Sequence, residues 1–177
     1  PSSKPPKGGR PASKSVGENF VKIDDRRLEL PSGASHSVGA DGRTTLLLCG
    51  DRLAILDADG FTVKKTLRLK KKYIRIGERR AYYVALAGDT KSIDLIDKRT
   101  LAVKKSFKVA CMSFTDMALH PTRPITYVAF KHGVTVPRYR FIMFDEKKGE
   151  GREGPDMIGT WLRVDPKGRY LMVGYRD

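Results

Sequence analysis

The sequence contains few of the residues on which a covalent scaffold, a metal site or a membrane segment would depend. It has only two cysteines and three histidines in 177 residues. Cys49 and Cys111 lie in no CxxC pair and have no histidine at metal-ligand spacing, so we expect buried free thiols and neither a disulfide framework nor a zinc site. No apolar run approaches the ~20 residues of a transmembrane helix. The chain is therefore predicted to be soluble, with a lean towards a reducing, cytoplasmic compartment that the sequence does not settle.

Acidic residues are scarce relative to basic ones. There are 20 Asp and Glu residues against 35 Lys and Arg residues, which gives a formal net charge of +15. Such an excess favours an anionic partner, which can be a nucleic acid, an acidic protein surface or an anionic lipid. Charge alone does not choose among these three.

Residues 1–17, PSSKPPKGGRPASKSVG, lack the apolar side chains that a folded segment must bury. Ordering them would cost conformational entropy without any burial in return, so we predict a flexible basic linker. This linker is interpreted either as a spacer to an upstream domain or as an arm that slides on polyanions. The segment has neither an initiating Met nor the zones of a secretory signal, and we favour an excerpt of a longer chain over a processed one.

What the sequence does contain is an internal repeat. Residues 53–69, LAILDADGFTVKKTLRL, align without a gap on residues 93–109, IDLIDKRTLAVKKSFKV, at an offset of 40. Asp57 falls on Asp97, and in each copy a Val-Lys-Lys triplet follows the aspartate at the same distance. This self-similarity goes well beyond a shared composition, and a period of this length is typical of repeat architectures.

Two further copies follow, at residues 127–145 and 161–173. Turn residues recur with them, as Asp-Gly-Arg at 41–43, as His-Pro-Thr-Arg at 120–123 and as Asp-Pro-Lys-Gly-Arg at 165–169. Each copy is predicted to form four short strands, of which the first is the innermost. The predicted inner strands are residues 37–39, 74–76, 117–119 and 162–164. Four-stranded antiparallel blades at this period are the arrangement of a β-propeller.

The chain resembles the WD-repeat and YVTN-type β-propeller superfamily over about residues 36–177. The resemblance is carried by the Asp-Gly-Arg and Asp-Pro-Lys-Gly-Arg turns and by the aspartates that end the third strands, Asp57, Asp97 and Asp145. No Trp-Asp dipeptide and no Gly-His pair are present, which places the chain nearer the YVTN-like branch. The resemblance implies an all-β propeller fragment of four-stranded antiparallel blades and a binding or scaffolding role.

The predicted organisation is a flexible basic linker followed by a partial β-propeller over residues 18–177. The propeller divides into an outer hairpin at 19–30, blades at 36–69, 73–109 and 114–157, and a half blade at 159–177. The first and last of these pieces are complementary parts of one blade. Three alternatives explain them: further blades in the intact chain, closure of this chain into a small ring, or self-association of two copies. We favour the first.

The candidate binding site is a basic stripe on the predicted outer strands of two neighbouring blades. It consists of Lys64, Lys65, Arg68, Lys70, Lys71 and Lys72 in one blade and of Lys104, Lys105 and Lys108 in the next. Because equivalent positions of adjacent blades are neighbours on the rim, the repeat is expected to stack these charges into a patch that attracts anions in a salt-dependent way.

Edge protection is the alternative interpretation of the basic stripe, because lysines on an outermost strand prevent edge-to-edge pairing. Lys65 lies two residues from the apolar Val63 and Lys105 two residues from Val103, so strand alternation would place each lysine on the same face as its apolar neighbour. Edge charges that point inward would produce this pattern, and so would a β-bulge.

No catalytic, cofactor-binding or metal-binding constellation is predicted. Histidines His36, His120 and His132 lack zinc-ligand spacing, and His120 occupies the turn position that Asp165 holds in the last copy, so we expect solvated or capping histidines and no metal ligands. The aspartates Asp57, Asp97 and Asp145 recur once per blade, as turn-capping residues do.

The predicted function is therefore that of a non-catalytic module that binds a protein partner or acts as a scaffold. One alternative is binding of nucleic acid or another polyanion through the basic rim. The other is a non-catalytic excerpt of a larger multidomain enzyme, since related propellers include enzymes. The sequence predicts no cofactor and does not identify the partner.

Overall fold

A computed structural model describes residues 22–24, 27–29, 33–57, 62–133 and 138–174, the first two ranges by their backbone only. In this part of the chain no helix is long and apolar enough to cross a membrane. The predicted linker at residues 1–17 lies outside it. The strands are β1 Lys22–Asp24, β2 Arg27–Glu29, β3 Ser35–Val38, β4 Thr45–Leu56, β5 Val63–Tyr73, β6 Arg75–Glu78, β7 Tyr82–Ala87, β8 Ser92–Asp97, β9 Val103–Lys108, β10 Ser113–Leu119, β11 Ile125–His132, β12 Arg138–Asp145, β13 Glu150–Met157, β14 Trp161–Val164 and β15 Leu171–Gly174.

The described strands form antiparallel sheets in strict chain order. These sheets are β1-β2, β3-β4-β5, β6-β7-β8-β9, β10-β11-β12-β13 and β14-β15. Within each sheet every strand pairs with its neighbour in sequence, because short turns rich in Gly, Asp and Pro return the chain at once. The two complete sheets have four strands each, which confirms the predicted blade. Strands β1 and β2 pair antiparallel, with Lys22 opposite Glu29 and Asp24 opposite Arg27.

The β3-β4-β5 sheet has three assigned strands where the sequence predicted four. Strand β4 runs for 12 residues through Gly50, whose φ is +60°. Leu47 nevertheless packs in one cluster with Ala54 and Leu56, although seven extended residues would separate Leu47 from Ala54 by about 23 Å. The chain therefore reverses at Gly50, where the Gly-Asp turn was predicted, and the two halves of β4 correspond to the two predicted strands.

The first strands of successive sheets are the innermost ones. Strand β6 lies beside both β3 and β10, and β10 lies beside β14. The Ser37 hydroxyl donates to the carbonyl of Ile76 (2.7 Å), which joins β3 to β6. The four predicted inner strands are thus present and adjacent, and they face a common central cavity.

The apolar core lies between neighbouring sheets, and β7 shows how one strand serves two of them. Successive side chains of a strand point to opposite faces. Tyr83 and Ala85 accordingly belong to the cluster shared with the β3-β4-β5 sheet, whereas Val84 and Leu86 belong to the cluster shared with β10–β13. Because both faces of this sheet are covered, β7 is apolar along its length and does not alternate apolar with polar residues.

The cysteines differ in part from expectation. Cys49 and Cys111 are both free, as predicted, but half-buried and not fully buried. Burial raises the pKa of the Cys111 thiol. This favours the thiol over the reactive thiolate.

Candidate functional site

The nine residues of the basic stripe lie on β5 and β9. Both strands are the outermost of their sheets. Within the described ranges, six of the nine have no carboxylate at salt-bridge distance, namely Lys64, Lys65, Lys70, Lys72, Lys105 and Lys108. The stripe is therefore an array of largely unneutralised charges on two sheet edges. Its stacking into a single patch remains a prediction.

A β-bulge occurs at the same point of both outer strands. In β5, Lys65 pairs with Ile55. The following pair is Val63 with Leu56, so the register skips Lys64. The register of β9 shifts at the equivalent place. An extra residue changes the alternation of a strand locally, which explains why Lys65 and Lys105 are both exposed. Of the two explanations for their position, a bulge or inward-pointing charges, the bulge is confirmed.

Three members of the basic stripe are paired with carboxylates. Arg68 Nε lies 2.9 Å from an oxygen of Asp51, and Lys104 Nζ lies 2.6 Å from an oxygen of Asp97. These cations are mostly exposed, and such pairs contribute little to stability. Lys71 differs, because its partner belongs to the next sheet and is buried.

Asp94, on β8, is that partner. It is buried, and it accepts hydrogen bonds from Lys71 (2.9 Å), Tyr73 (3.0 Å), Ser92 (3.0 Å) and Ser106 (2.6 Å). Burial raises the pKa of Asp94, but the hydrogen bonds outweigh it, so the pKa lies below its usual range. Sequence reasoning missed this carboxylate. The only signal was its place between the apolar residues Ile93 and Leu95 of β8.

A second buried ionic cluster joins the β6–β9 sheet to the β10–β13 sheet. Arg79 Nη2 lies 2.5 Å from Glu146 Oε1, and Glu146 is 2% exposed. The guanidinium of Arg79 also donates to the carbonyls of His120 (2.6 Å) and Ile125 (2.8 Å). The carboxylate of Glu146 accepts hydrogen bonds from the hydroxyls of Tyr82 (2.5 Å) and Thr126 (2.7 Å). Burial and the adjacent carboxylate raise the pKa of Tyr82. The repeat pattern of the sequence did not indicate this cluster.

The recurring turn residues cap their turns as predicted. Asp41 accepts from the backbone N–H groups of Arg43 and Thr44, both at 2.9 Å, and these bonds lower its pKa to about 2. The imidazole Nδ1 of His120 accepts from two backbone N–H groups at 3.2 and 3.0 Å. The same type of bond is made by Asp57, Asp97, Asp145 and Asp165. A carboxylate or an imidazole thus performs one structural task in every copy.

A central cavity of about 460 Å³ is lined by the first strands of the four sheets β3-β4-β5 to β14-β15 and is open on one side. His36 lies on its wall, together with two arginines, Arg75 and Arg163, that flank the buried Asp116. The arginine nitrogens lie 3.4 and 3.3 Å from the Asp116 carboxylate. The same carboxylate accepts a shorter bond, 3.0 Å, from the backbone N–H of Leu162. Sequence reasoning did not single out these three charged residues.

A shallower outer groove of about 230 Å³ opens between the β6–β9 and β10–β13 sheets. Lys104 and Lys105 of the basic stripe line it, together with Lys147, Tyr82 and Leu95. The structure therefore adds a lysine from a third copy to the two from β9. Among residues 33–57, 62–133 and 138–174, no group of three or more His, Cys, Asp or Glu side chains is placed to hold a metal ion.

Solved structures share this arrangement of sheets. The WD40 domain of Pan2 from Neurospora crassa superposes with a TM-score of 0.53 at 11% identity, over 83% of this chain and 50% of that chain. The β-propeller domain of Cps50 (Swd1) from Myceliophteria thermophila gives 0.56 at 16%, over 78% of this chain and 47% of that chain. Hydrazine synthase from Kuenenia stuttgartiensis gives 0.58 at 15%, over 85% and 47% respectively.

These likenesses establish the fold class: the chain has the β-propeller arrangement of antiparallel sheets that its repeat predicted. Identities of 11–16% show the fold alone. The chain spans about half the length of these solved chains. No protein-family model matches the chain, and no curated protein matches it in sequence.

Proposed function

We propose that this propeller is a non-catalytic module that binds a protein partner at the open side of the central cavity. The observation that carries the proposal is the cavity itself, which combines charged donors with an apolar wall at the meeting point of four sheets. Concave sites with a few convergent polar groups beside apolar ones are the usual sites at which proteins bind small groups, and the side chains of a protein partner are of that size. Buried ionic contacts join neighbouring sheets of the scaffold around the cavity.

Site-specific photocrosslinking tests this function. Val38 lines the cavity and is 66% exposed, so benzoylphenylalanine placed there faces any bound partner. Ile158 is 82% exposed on a segment that does not line the cavity and serves as the matched control. In cells that make the protein, we expect a discrete protein adduct from position 38 and none of that mass from position 158. Identical adduct patterns at both positions, or none at position 38, would contradict the proposal.

A second function, polyanion binding through the basic stripe, is favoured by a comparison of the sheet edges. The outer strand β13 carries Glu150, Glu153 and Asp156 beside Arg152, and it contains Pro155. Charges of either sign and a proline without an N–H donor protect an edge equally well. Edge protection alone therefore does not require the uniformly positive charge of β5 and β9.

Binding to duplex DNA and to heparin at graded salt tests this second function. We expect the doubly substituted Lys64→Gln/Lys65→Gln chain to lose about 0.9 from the salt slope of DNA binding for each phosphate contact removed, because fewer counterions are released. Lys167→Gln/Arg169→Gln, which removes the same charge from exposed positions on another turn, should leave the slope unchanged if the stripe is the site. Absence of binding at low salt would exclude the electrostatic function.

A further inference from the structure

The wall of the central cavity carries an excess of positive charge. Arg75 and Arg163 contribute two cationic groups and Asp116 one anionic group. These three groups leave an excess of one positive charge. An anionic group entering the cavity meets this charge beside low-dielectric walls, where the attraction is stronger than in bulk water.

The two arginines hold Asp116 loosely. Their nitrogen–oxygen distances of 3.4 and 3.3 Å exceed the 2.7–2.9 Å of a good charge-assisted hydrogen bond. Asp116 is instead fixed by the N–H group of Leu162 at 3.0 Å. Because the guanidinium groups are not tightly engaged with this carboxylate, they can pair with a second one without leaving Asp116 unsatisfied.

Arg163 is the better placed of the two to do so. Its side chain is 54% exposed. Its hydrogen bonds to described residues both come from Nη1, to Asp116 (3.3 Å) and to the carbonyl of Leu162 (2.7 Å). A guanidinium has five N–H donors in a planar fork. The bond to Leu162 and the Trp161 ring, whose centroid lies 5.9 Å away, hold this fork in place before any ligand arrives.

Apart from His36, the other residues of the wall carry no ionisable side chain. Val38, Leu119 and Val164 line the cavity together with Met117. A ligand that matches both parts has a carboxylate and an apolar side chain close together. Short peptide segments have this chemistry, and a cavity of about 460 Å³ falls in the range of ordinary ligand pockets.

We propose that the central cavity binds an acidic peptide segment whose carboxylate pairs with Arg163 and, across Asp116, with Arg75, while a neighbouring apolar side chain contacts Val38 and Leu119. The inference rests on the proposed protein-binding function and names its ligand chemistry. It makes Arg163 the residue that determines specificity for acidic segments.

Fluorescence anisotropy with the full 177-residue chain tests the inference. The probe is a fluorescein-labelled octapeptide of alternating Glu and Leu, and its Gln-Leu counterpart has the same apolar content without the charge. We expect the Glu-Leu peptide to bind at least about tenfold more tightly than the Gln-Leu peptide, since a hydrogen bond to a charged group is worth about 1.5–3 kcal/mol. Equal affinities for the two peptides, or no binding of either, would overturn the inference.

Two variants locate the site. Arg163→Gln should weaken the Glu-Leu peptide at least about tenfold, and Arg163→Lys should recover only part of the affinity because it keeps the charge but loses the fork. Arg169→Gln is the matched control, because that side chain is 61% exposed and lies in the turn between β14 and β15, away from the cavity wall. Equal weakening by Arg169→Gln would show unspecific charge attraction and refute the site.

Failure of this inference is distinguishable from failure of the proposed function. If the protein adduct from position 38 persists in the Arg163→Gln chain, protein binding stands and the acidic-segment chemistry is wrong. If both the adduct and the peptide binding are absent from the unsubstituted chain, both proposals are wrong.

Discussion

Replacing Glu146 with alanine should lower the free energy of unfolding by about 3–5 kcal/mol, because it leaves the buried guanidinium of Arg79 without its counter-charge. The Arg79 side chain is only 14% exposed, so water cannot replace the lost carboxylate. Tyr82 and Thr126 lose their acceptor as well. Equilibrium unfolding in urea at neutral pH measures the change.

Glu150→Ala is the matched control for this substitution, since Glu150 is exposed on β13 and its removal changes the net charge equally. We expect a loss within about 0.5 kcal/mol there. A loss below about 1 kcal/mol for Glu146→Ala would show that the cluster does not join the two sheets energetically, because a broken buried pair costs several times more.

Asp94→Ala should be comparably destabilising and should also flatten the acid limb of the stability curve. Its removal leaves Lys71, Tyr73 and Ser106 facing a buried site without an acceptor, which costs about 3 kcal/mol or more. The folded-state pKa of Asp94 lies below its usual value. The unfolded chain therefore binds more protons in acid, and stability rises with pH there.

The pH range of this effect follows from the direction of the pKa shift of Asp94. The stabilisation from Asp94 is fully present above the unfolded pKa near 3.9 and is lost as pH falls through the lower folded pKa. The difference in melting temperature between the unsubstituted and Asp94→Ala chains should thus begin to shrink below about pH 4. Asp89→Ala, at an exposed turn of the same sheet, is the control for simple loss of charge. A constant difference from pH 7 to pH 2.5 would contradict this account.

Much of the fold was predictable because its signals are local. Turn chemistry, the alternation of apolar residues and the period of about forty residues each concern neighbours in sequence. The bulge illustrates the limit of such signals. The phase of Lys65 and Lys105 indicated either a bulge or inward charges, and only the register, Val63 with Leu56 and Lys65 with Ile55, decided between them.

The repeat pattern did not predict which residues join the sheets, because these residues are not conserved from one copy to the next. Asp94 corresponds to Ala54 in the preceding copy, and Glu146 follows Asp145 at the position that Lys98 holds after Asp97. Comparison of the copies identifies only the residues that the copies share. Residues that occur in one copy only are not detected in this way, although here they carry the buried charges.

By itself, then, the sequence determined the blades, their turns and the basic outer strands, since each depends on residues that are adjacent or one strand apart. Only the tertiary structure decided which charges meet. Arg79 reaches Glu146 across 67 residues, and Asp116 reaches Arg163 across 47. The physical reason is that partners on different sheets are brought together by the packing of one blade against the next, and alternation within a strand carries no information about that packing.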